Sequence, residues 1–253
     1  MLWNAFKIAF SMYSKIPMPN TDWNKRNMKY AICFFPLVGG VIGILTVLWG
    51  YISYKFQIGG VLYASILTIL PILITGGIHF DGFLDTMDAL SSYQPTARKL
   101  EILKDPHTGA FAIISGITYF IFYFGVLSEV KGEGLIIIAI GFMLSRALSG
   151  LSIVTFTCAK NSGLAASFSD AAQKDKVKYT MIVYILLCSL GMILLNSILG
   201  IATIAIALSV FIYYKSMSKK QFGGITGDIA GYFLQICELA IAIGVVVVGK
   251  ILF

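Results

Sequence analysis

The chain has 253 residues and a net charge of +7, yet only 12% of its residues are charged and 58% are hydrophobic. That is about half the charged fraction of soluble domains, and a mean hydropathy of +0.85 excludes an ordinary soluble globule. The composition is that of an all-α polytopic protein, a helical bundle within a lipid bilayer. The basic excess would suit nucleic acid, but its distribution serves membrane topology instead, so no nucleic-acid partner is expected. Cys33, Cys158, Cys188 and Cys237 lie in apolar runs without a CxxC pair, and read as small core residues.

Residues 1–29 do not have the pattern of a cleavable signal peptide, because Asn4, Lys7, Ser11 and Ser14 interrupt the apolar run. These four recur at intervals of 3, 4 and 3, with Trp3, Phe6, Phe10 and Tyr13 among the apolar positions opposite. The spacing predicts an amphipathic helix lying in the membrane interface. Pro17 and Pro19 end it, and Asp22 to Lys29 form a basic lead-in.

Seven spans follow, at Tyr30–Tyr51, Ile58–Ile78, Ala110–Leu127, Leu135–Phe156, Thr180–Leu195, Ile198–Tyr214 and Ile229–Ile251. The fifth and sixth are short, with only Asn196 and Ser197 between them, and a tight hairpin is the alternative reading there. With the N-terminus cytoplasmic, 15 of the 19 basic residues fall on the cytoplasmic side; Lys55, Lys131 and Lys250 fall outside, and Arg146 inside a span. The positive-inside rule therefore orients the chain in the cytoplasmic (inner) membrane, with its polar segments facing the cytoplasm. Residues 1–253 form one domain without an internal repeat: a lead-in over 1–29, an acidic catalytic loop over 79–109 and a glycine-rich loop over 215–228.

The stretch Gly76-Gly77-Ile78-His79-Phe80-Asp81-Gly82-Phe83-Leu84-Asp85-Thr86-Met87-Asp88 places three carboxylates at offsets 0, 4 and 7. On a helix these share one face, within roughly 60° of one another. Like charges so crowded repel unless a cation sits among them, and oxygen ligands favour magnesium, manganese or calcium. The plain alternative is a solvated acidic helix start that complements the helix dipole.

Further on, Arg98 and Lys104 have the chemistry to hold phosphate oxygens, although a short surface helix over Arg98 to Lys104 is an equal alternative. Asp105-Pro106 predicts a turn that sets a carboxylate and His107 at the mouth of a site. In the last loop, Gly223, Gly224 and Gly227 let backbone N–H groups approach an anion, and Thr226 or Asp228 opens the final span. Arg146 and Glu238 lie deep in spans, where ionisable groups are functional or paired, so either a mutual ion pair or a substrate contact follows.

The chain resembles the cobalamin synthases, or adenosylcobinamide-GDP ribazoletransferases. The resemblance is carried by Lys15-Ile16-Pro17-Met18-Pro19, the Gly76 to Leu90 block, Glu101 to Phe111, and Gly223-Gly224-Ile225-Thr226-Gly227-Asp228. Pro106-His107-Thr108 departs from the family pattern. The resemblance implies a membrane enzyme dependent on magnesium (Mg2+), with manganese the alternative, that joins adenosylcobinamide-GDP to α-ribazole or its 5'-phosphate and releases GMP. Asp81, Asp85 and Asp228 are then the expected metal ligands, and Asp88 or Asp105 the base. His79, Arg98, Lys104, Gly109, Arg146, Gly224, Thr226 and Gly227 are the expected substrate contacts. Other cobamide-assembly enzymes and a second copy of the chain are further expected partners. The rival readings are a CDP-alcohol phosphotransferase or prenyltransferase, or, from another class, a cation-coupled transporter. The first would show Asp-Gly-x-x-Ala-Arg where this chain has Asp81-Gly82-Phe83-Leu84-Asp85-Thr86.

Overall fold

A computed structural model describes residues 1–160 and 163–252. All of its regular elements are helices: α1 (Leu2–Tyr13), α2 (Lys25–Met28), α3 (Phe35–Lys55), α4 (Gly60–Thr75), α5 (Ile78–Ser91) and α6 (Thr96–Ile102) come first. Then follow α7 (Ala110–Ser128), α8 (Glu133–Thr155), α9 (Leu164–Ala171), α10 (Lys174–Leu195), α11 (Ser197–Phe222) and α12 (Gly227–Leu252). Among the described residues six helices are long and apolar enough to cross a membrane, and α4 joined to α5 makes a seventh candidate, bent by 97°. The expected all-α polytopic bundle is therefore present.

Two expectations about the spans change. The second span ends at Thr75 rather than running to Ile78, because Gly76 and Gly77 both take left-handed backbone angles (φ 67° and 80°) that only glycine adopts freely. The fifth and sixth spans are full helices of 22 and 26 residues that extend past their apolar stretches as Lys174–Leu195 and Ser197–Phe222. Asn196 separates them and caps α11, its side chain accepting from the Leu199 N–H at 3.1 Å.

Chain direction alternates through α3, α4, α7, α8, α10, α11 and α12, so α5, α6, α9, the loop before α12 and α1 all gather at one end. At the other end Lys250 pairs with Glu129 at 2.6 Å, and the Asn196 amide donates to Glu133 at 3.1 Å. Outward-facing Leu73, Ile121, Leu186 and Ile212 are exposed, as a surface bathed in lipid requires.

The most buried helix is α8. It meets α3 through Gly39 and Gly43, where a Cβ would lie 2.6 Å from the Phe142 carbonyl carbon and 3.0 Å from that of Ala139. Such glycine pairs, four residues apart, let apolar helices touch backbone to backbone where no hydrophobic drive separates helix from lipid. α8 meets α12 through Arg146 and Glu238, about 14–16 Å along their helices from the site-bearing end. Arg146 Nη1 donates to Glu238 at 2.7 Å and to the Phe142 carbonyl at 2.9 Å, and the Ser145 hydroxyl donates to Glu238 at 3.1 Å.

The terminal helix α1 is more buried than a helix lying on a membrane surface. Ala5, Ile8, Ala9 and Phe10 are covered, and the polar stripe is answered by the following loop and α2: Lys7 Nζ donates to the Asn20 carbonyl at 3.4 Å and the Asn4 amide to Asn27 at 3.2 Å.

Removing one member of the deep ion pair strands a buried charge, which costs about 3–5 kcal/mol. Arg146→Met is accordingly expected to lower the thermal unfolding midpoint sharply in detergent, and the double replacement Arg146→Met with Glu238→Leu to recover most of that loss. A single mutant as stable as the parent would show that the pair contributes little.

Candidate functional site

The site begins at the break between α4 and α5. The Thr75 hydroxyl returns to the Pro71 carbonyl at 2.8 Å and receives the Gly77 N–H at 3.3 Å, while the Lys15 N–H bonds the Ile74 carbonyl at 2.7 Å. These bonds satisfy the last groups of α4. The 97° turn then sends α5 across the end of the bundle instead of through it. The stretch read as an acidic loop is thus mostly helix, and Asp81, Asp85 and Asp88 share a face of α5 as their spacing predicts.

That helix crosses the first turns of α12 at backbone contact. A Cβ on Gly82 would meet Asp228 Cα and its carbonyl oxygen at 2.7 Å, and one on Gly231 would meet the His79 carbonyl oxygen at 2.7 Å. Alongside, Phe83 stacks on Tyr232, centroids 6.0 Å apart and planes 9° from parallel. The crossing sets Asp81 and Asp85 beside Asp228. The Asp85 carboxyl is pushed up to about 6, first by burial and then by the charges of Asp81, Asp228 and Asp88. Among the described residues no three acidic, histidine or cysteine side chains converge closely enough to enclose a metal ion. The donor chemistry remains that of a hard divalent cation such as magnesium, which takes one or two carboxylates and fills its shell with water and phosphate.

The glycine-rich loop is clamped onto the segment after α8. The Ile225 N–H bonds the Thr157 carbonyl at 2.9 Å and the Ala159 N–H bonds the Ile225 carbonyl at 2.9 Å, a short parallel bridge. Any Cβ at Gly224 would overlap this segment, 2.6 Å from Ala159 N. Thr226 caps α12, its hydroxyl accepting from the Ile229 N–H at 3.2 Å and lying 3.3 Å from Asp228 Oδ2. The clamp delivers Lys160 to the start of α12, beside Lys104 in the lining of a cavity of about 220 Å3 bordered by Thr226, Gly227 and Asp228, with its Nζ donating to the Leu100 carbonyl at 2.8 Å. Burial and then the neighbouring Lys104 hold the Lys160 amine below its usual range. Two ammonium groups beside a helix N-terminus form an anion site.

A second cavity, of about 310 Å3, adjoins the first at Ala165, Gly227 and Asp228 and runs inward between α1, α5, α8 and α12. Tyr13, Phe35, Ile153 and Leu234 make it apolar, and Asp81 and His79 lie at its edge. His79 is buried, and burial, with Arg146 second, holds its imidazole well below the usual range, so it is neutral.

Other sequence-read residues sit differently. Asp88 lies against Gly109, the residue before α7, where a Cβ would overlap the carboxylate, so those two are brought together. Arg98 is exposed on α6 and pairs with Glu101 at 2.7 Å, outside both cavities. Asp105 is also outside them; its carboxylate binds the His107 N–H at 3.0 Å and ring at 2.8 Å, and that N–H holds its carboxyl below the usual range. A surface carboxylate so stabilised is a poor base. Arg146 takes the ion-pair alternative, bound by Glu238 rather than presented to either cavity. Lys160 and Tyr13 are site residues that the sequence reading did not single out.

A family model described as cobalamin-5-phosphate synthase matches residues 5–246. An adenosylcobinamide-GDP ribazoletransferase of Lachnoclostridium phytofermentans is 52% identical over 248 residues, which cover 98% of this chain and 95% of the relative. Proteins of the same name from Clostridium perfringens (strain SM101) and Clostridium botulinum (strain Alaska E43) are 32% and 34% identical, covering 99% and 94% of this chain and 99% and 95% of their own. No solved structure matches.

The helix crossing has a direct test. Gly82→Ala forces a methyl group into the Asp228 backbone and is expected to destabilise the protein by about 1–3 kcal/mol. Gly249→Ala, on α12 where nothing lies within 4 Å, should leave the unfolding midpoint unchanged or higher. Equal midpoints for the two variants would mean that the helices do not touch at Gly82.

Proposed function

The chain belongs to the cobalamin-5-phosphate synthase family of adenosylcobinamide-GDP ribazoletransferases, enzymes of cobalamin synthesis, and on that premise we propose how its own residues carry the reaction. It joins adenosylcobinamide-GDP to α-ribazole or its 5'-phosphate. A ribose hydroxyl oxygen attacks the phosphorus next to the cobinamide side chain, the bond from that phosphorus to the bridging oxygen breaks, and GMP leaves. One observation carries the reading: a carboxylate cluster and a lysine-lined cavity meet at Asp228, the arrangement that displacement at a diphosphate needs.

In this assignment Lys104 and Lys160, with the N–H groups that open α12, bind and orient the diphosphate. Asp81 and Asp228, from the two crossing helices, would hold a magnesium ion. Such an ion would supply positive charge against the diphosphate and the departing GMP. Asp85 is half-buried and its carboxyl lies near 6, closer to neutrality than any ordinary aspartate. It takes the hydroxyl proton in place of Asp105, and Asp88 supports the start of α7. The site faces the cytoplasm in the inner membrane, because the end that holds it also carries most of the lysines.

Several outcomes follow for the purified protein in detergent, given both substrates and assayed for GMP. EDTA should abolish product and magnesium restore it. Asp81→Ala and Asp228→Ala should each remove activity while the unfolding profile persists. Lys160→Ala should raise KM for the nucleotide substrate about tenfold or more, since it removes a charged phosphate contact. Product formed at the parental rate by either aspartate variant would end the metal assignment.

Acidity gives a separate check. A base must be ionised, so the rate should fall about tenfold per pH unit below about 6 and level off above it. Asp85→Asn should lower the rate by about 10²–10⁴ and flatten that limb. For orientation, cysteines placed at the exposed Tyr93 and at Lys219 should react only with reagent on the cytoplasmic face.

A further inference from the structure

We propose that the polar cavity between α1, the loop after it and α2 binds a phosphate anion, with Lys7 as the counter-charge. A membrane lipid headgroup or free phosphate supplies that chemistry. The inference stands apart from the transferase reading, because Lys7 and Ser11 border this cavity from a different face of α1 than Met12 and Tyr13, which line the apolar one.

The cavity has a volume of about 480 Å3, within the range of small-molecule sites. Lys7 carries the argument. It is only 9% exposed, and its Nζ makes one long hydrogen bond, to the Asn20 carbonyl at 3.4 Å. Among the described residues no carboxylate lies within 4 Å of that ammonium. Lysine is almost never buried unless paired, since desolvating a lone charge is costly. An ammonium has three N–H donors and Asn20 takes one, so two remain for a ligand.

The rest of the lining agrees with an anion. Ser11, one turn along α1, and Thr21 in the loop bring hydroxyl groups, and Asn4 brings an amide. A cation among neutral donors suits a group with several acceptor oxygens, as phosphate has. Asp22 also borders the cavity, but it is exposed and beyond ion-pair reach of Lys7.

Position favours a headgroup as the source. Trp23 lines the cavity and Trp3 stands on the same helix as Lys7; both are exposed, as tryptophans at a bilayer–water interface are. Residues 1–29 hold five basic side chains, Lys7, Lys15, Lys25, Arg26 and Lys29, against the acidic Asp22. Such an excess draws anionic lipid to a membrane-proximal surface.

The test follows the unfolding midpoint of the delipidated full chain in neutral detergent, titrated with phosphatidylglycerol, phosphatidylcholine or inorganic phosphate. The parent is compared with Lys7→Met, Ser11→Trp and Lys25→Gln, the last removing an exposed charge outside the lining. Phosphatidylglycerol should raise the parental midpoint saturably, and phosphatidylcholine much less, because choline offsets its phosphate. Lys7→Met should weaken the apparent affinity about tenfold or more, and Lys25→Gln should leave it within about twofold. Ser11→Trp fills the cavity while keeping the lysine, and should also lose the response. Without ligand, Lys7→Met should be at least as stable as the parent, since it removes a buried charge that nothing offsets.

A parental response to lipid alone identifies the headgroup as occupant, and a response to inorganic phosphate as well shows that the phosphate group suffices. A parent that responds to neither overturns the proposal. So does a parental response in Lys7→Met or Ser11→Trp, or a loss shared equally by Lys25→Gln, which is diffuse surface attraction. A Lys7→Met protein much less stable than the parent, or unfolded, makes the lysine structural and overturns it too.

Discussion

At the crossing of α5 and α12, Gly82 lies against the Asp228 backbone and Gly231 against the His79 carbonyl, and the functional end of the molecule depends on that contact. The acidic groups it assembles oppose it: two like charges about 6 Å apart near a protein surface repel by about 3 kcal/mol. Something must hold the helices together against that repulsion. Beside the glycines, Phe83 stacks on Tyr232 and packs with Phe80 and Tyr119, and burying one such ring contributes about 1.5–3 kcal/mol. Aromatic burial on the flank and repulsion on the face are therefore of similar size. Glycine decides the balance, because without side chains at the crossing the rings can close and the carboxylates are carried along.

One helix further in, the Arg146–Glu238 pair does for α8 and α12 what the glycines do for α5 and α12. A buried pair adds little net stability, since desolvation consumes most of the attraction, but it penalises every register in which the partners miss each other. Ser145 donates to the same carboxylate oxygen as Arg146, so a shift of α12 along α8 would strand several polar groups at once. α12 is thus located from two sides, by hydrogen bonds to α8 and by steric contact with α5. Its first turn, with Thr226 and Asp228, is held rigid between them. Both Nη1 hydrogens are committed to Glu238 and Phe142 and Arg146 lines neither cavity, so its place is in the frame.

Much of this was legible in the sequence because two periodicities carry it. Long apolar runs fixed the bundle, and the spacing of Asp81, Asp85 and Asp88 required one helical face. The lengths of α10 and α11 were less legible, because hydropathy reports where lipid is and not where a helix ends. Lys174 to Lys178 and Lys215 to Phe222 are helical but polar enough to fall outside an apolar window. The turn after α4 was hidden for a related reason: Gly76-Gly77 falls within the apolar span read as far as Ile78, yet its paired left-handed angles make a right-angled joint between two helices. Lys160 had no local signal. It becomes a site residue only through the bridge of Cys158 to Ile225, a pairing distant in sequence, whereas Arg98 and Asp105, conspicuous beside the acidic block, turn outward to Glu101 and His107.

The end of the bundle is frustrated in two opposite ways. Carboxylates of α5 and α12 crowd one another on one side of Asp228, and Lys104 and Lys160 crowd on the other. Only at the start of α12 do the two clusters touch electrostatically, where Asp228 and Lys160 each favour the other's charged form. A folded chain keeps such an arrangement only where the rest of the structure over-determines it, as the clamps on α5, α12 and the glycine loop do here. On the proposed assignment, a cation among the carboxylates and polyanionic phosphate among the lysines would relieve both strains together, most of all for a substrate that brings its negative charge to the boundary at Asp228. Donors already fixed in place would then need no reorganisation as charge develops on the proposed leaving phosphate. The apolar cavity beneath adds a condition that a soluble surface would struggle to supply: hydrocarbon and aromatic walls beginning one helical turn below a charged rim. A membrane bundle has that gradient at every helix end, and this chain places Asp81 and Asp228 on it, in the lining of the cavity.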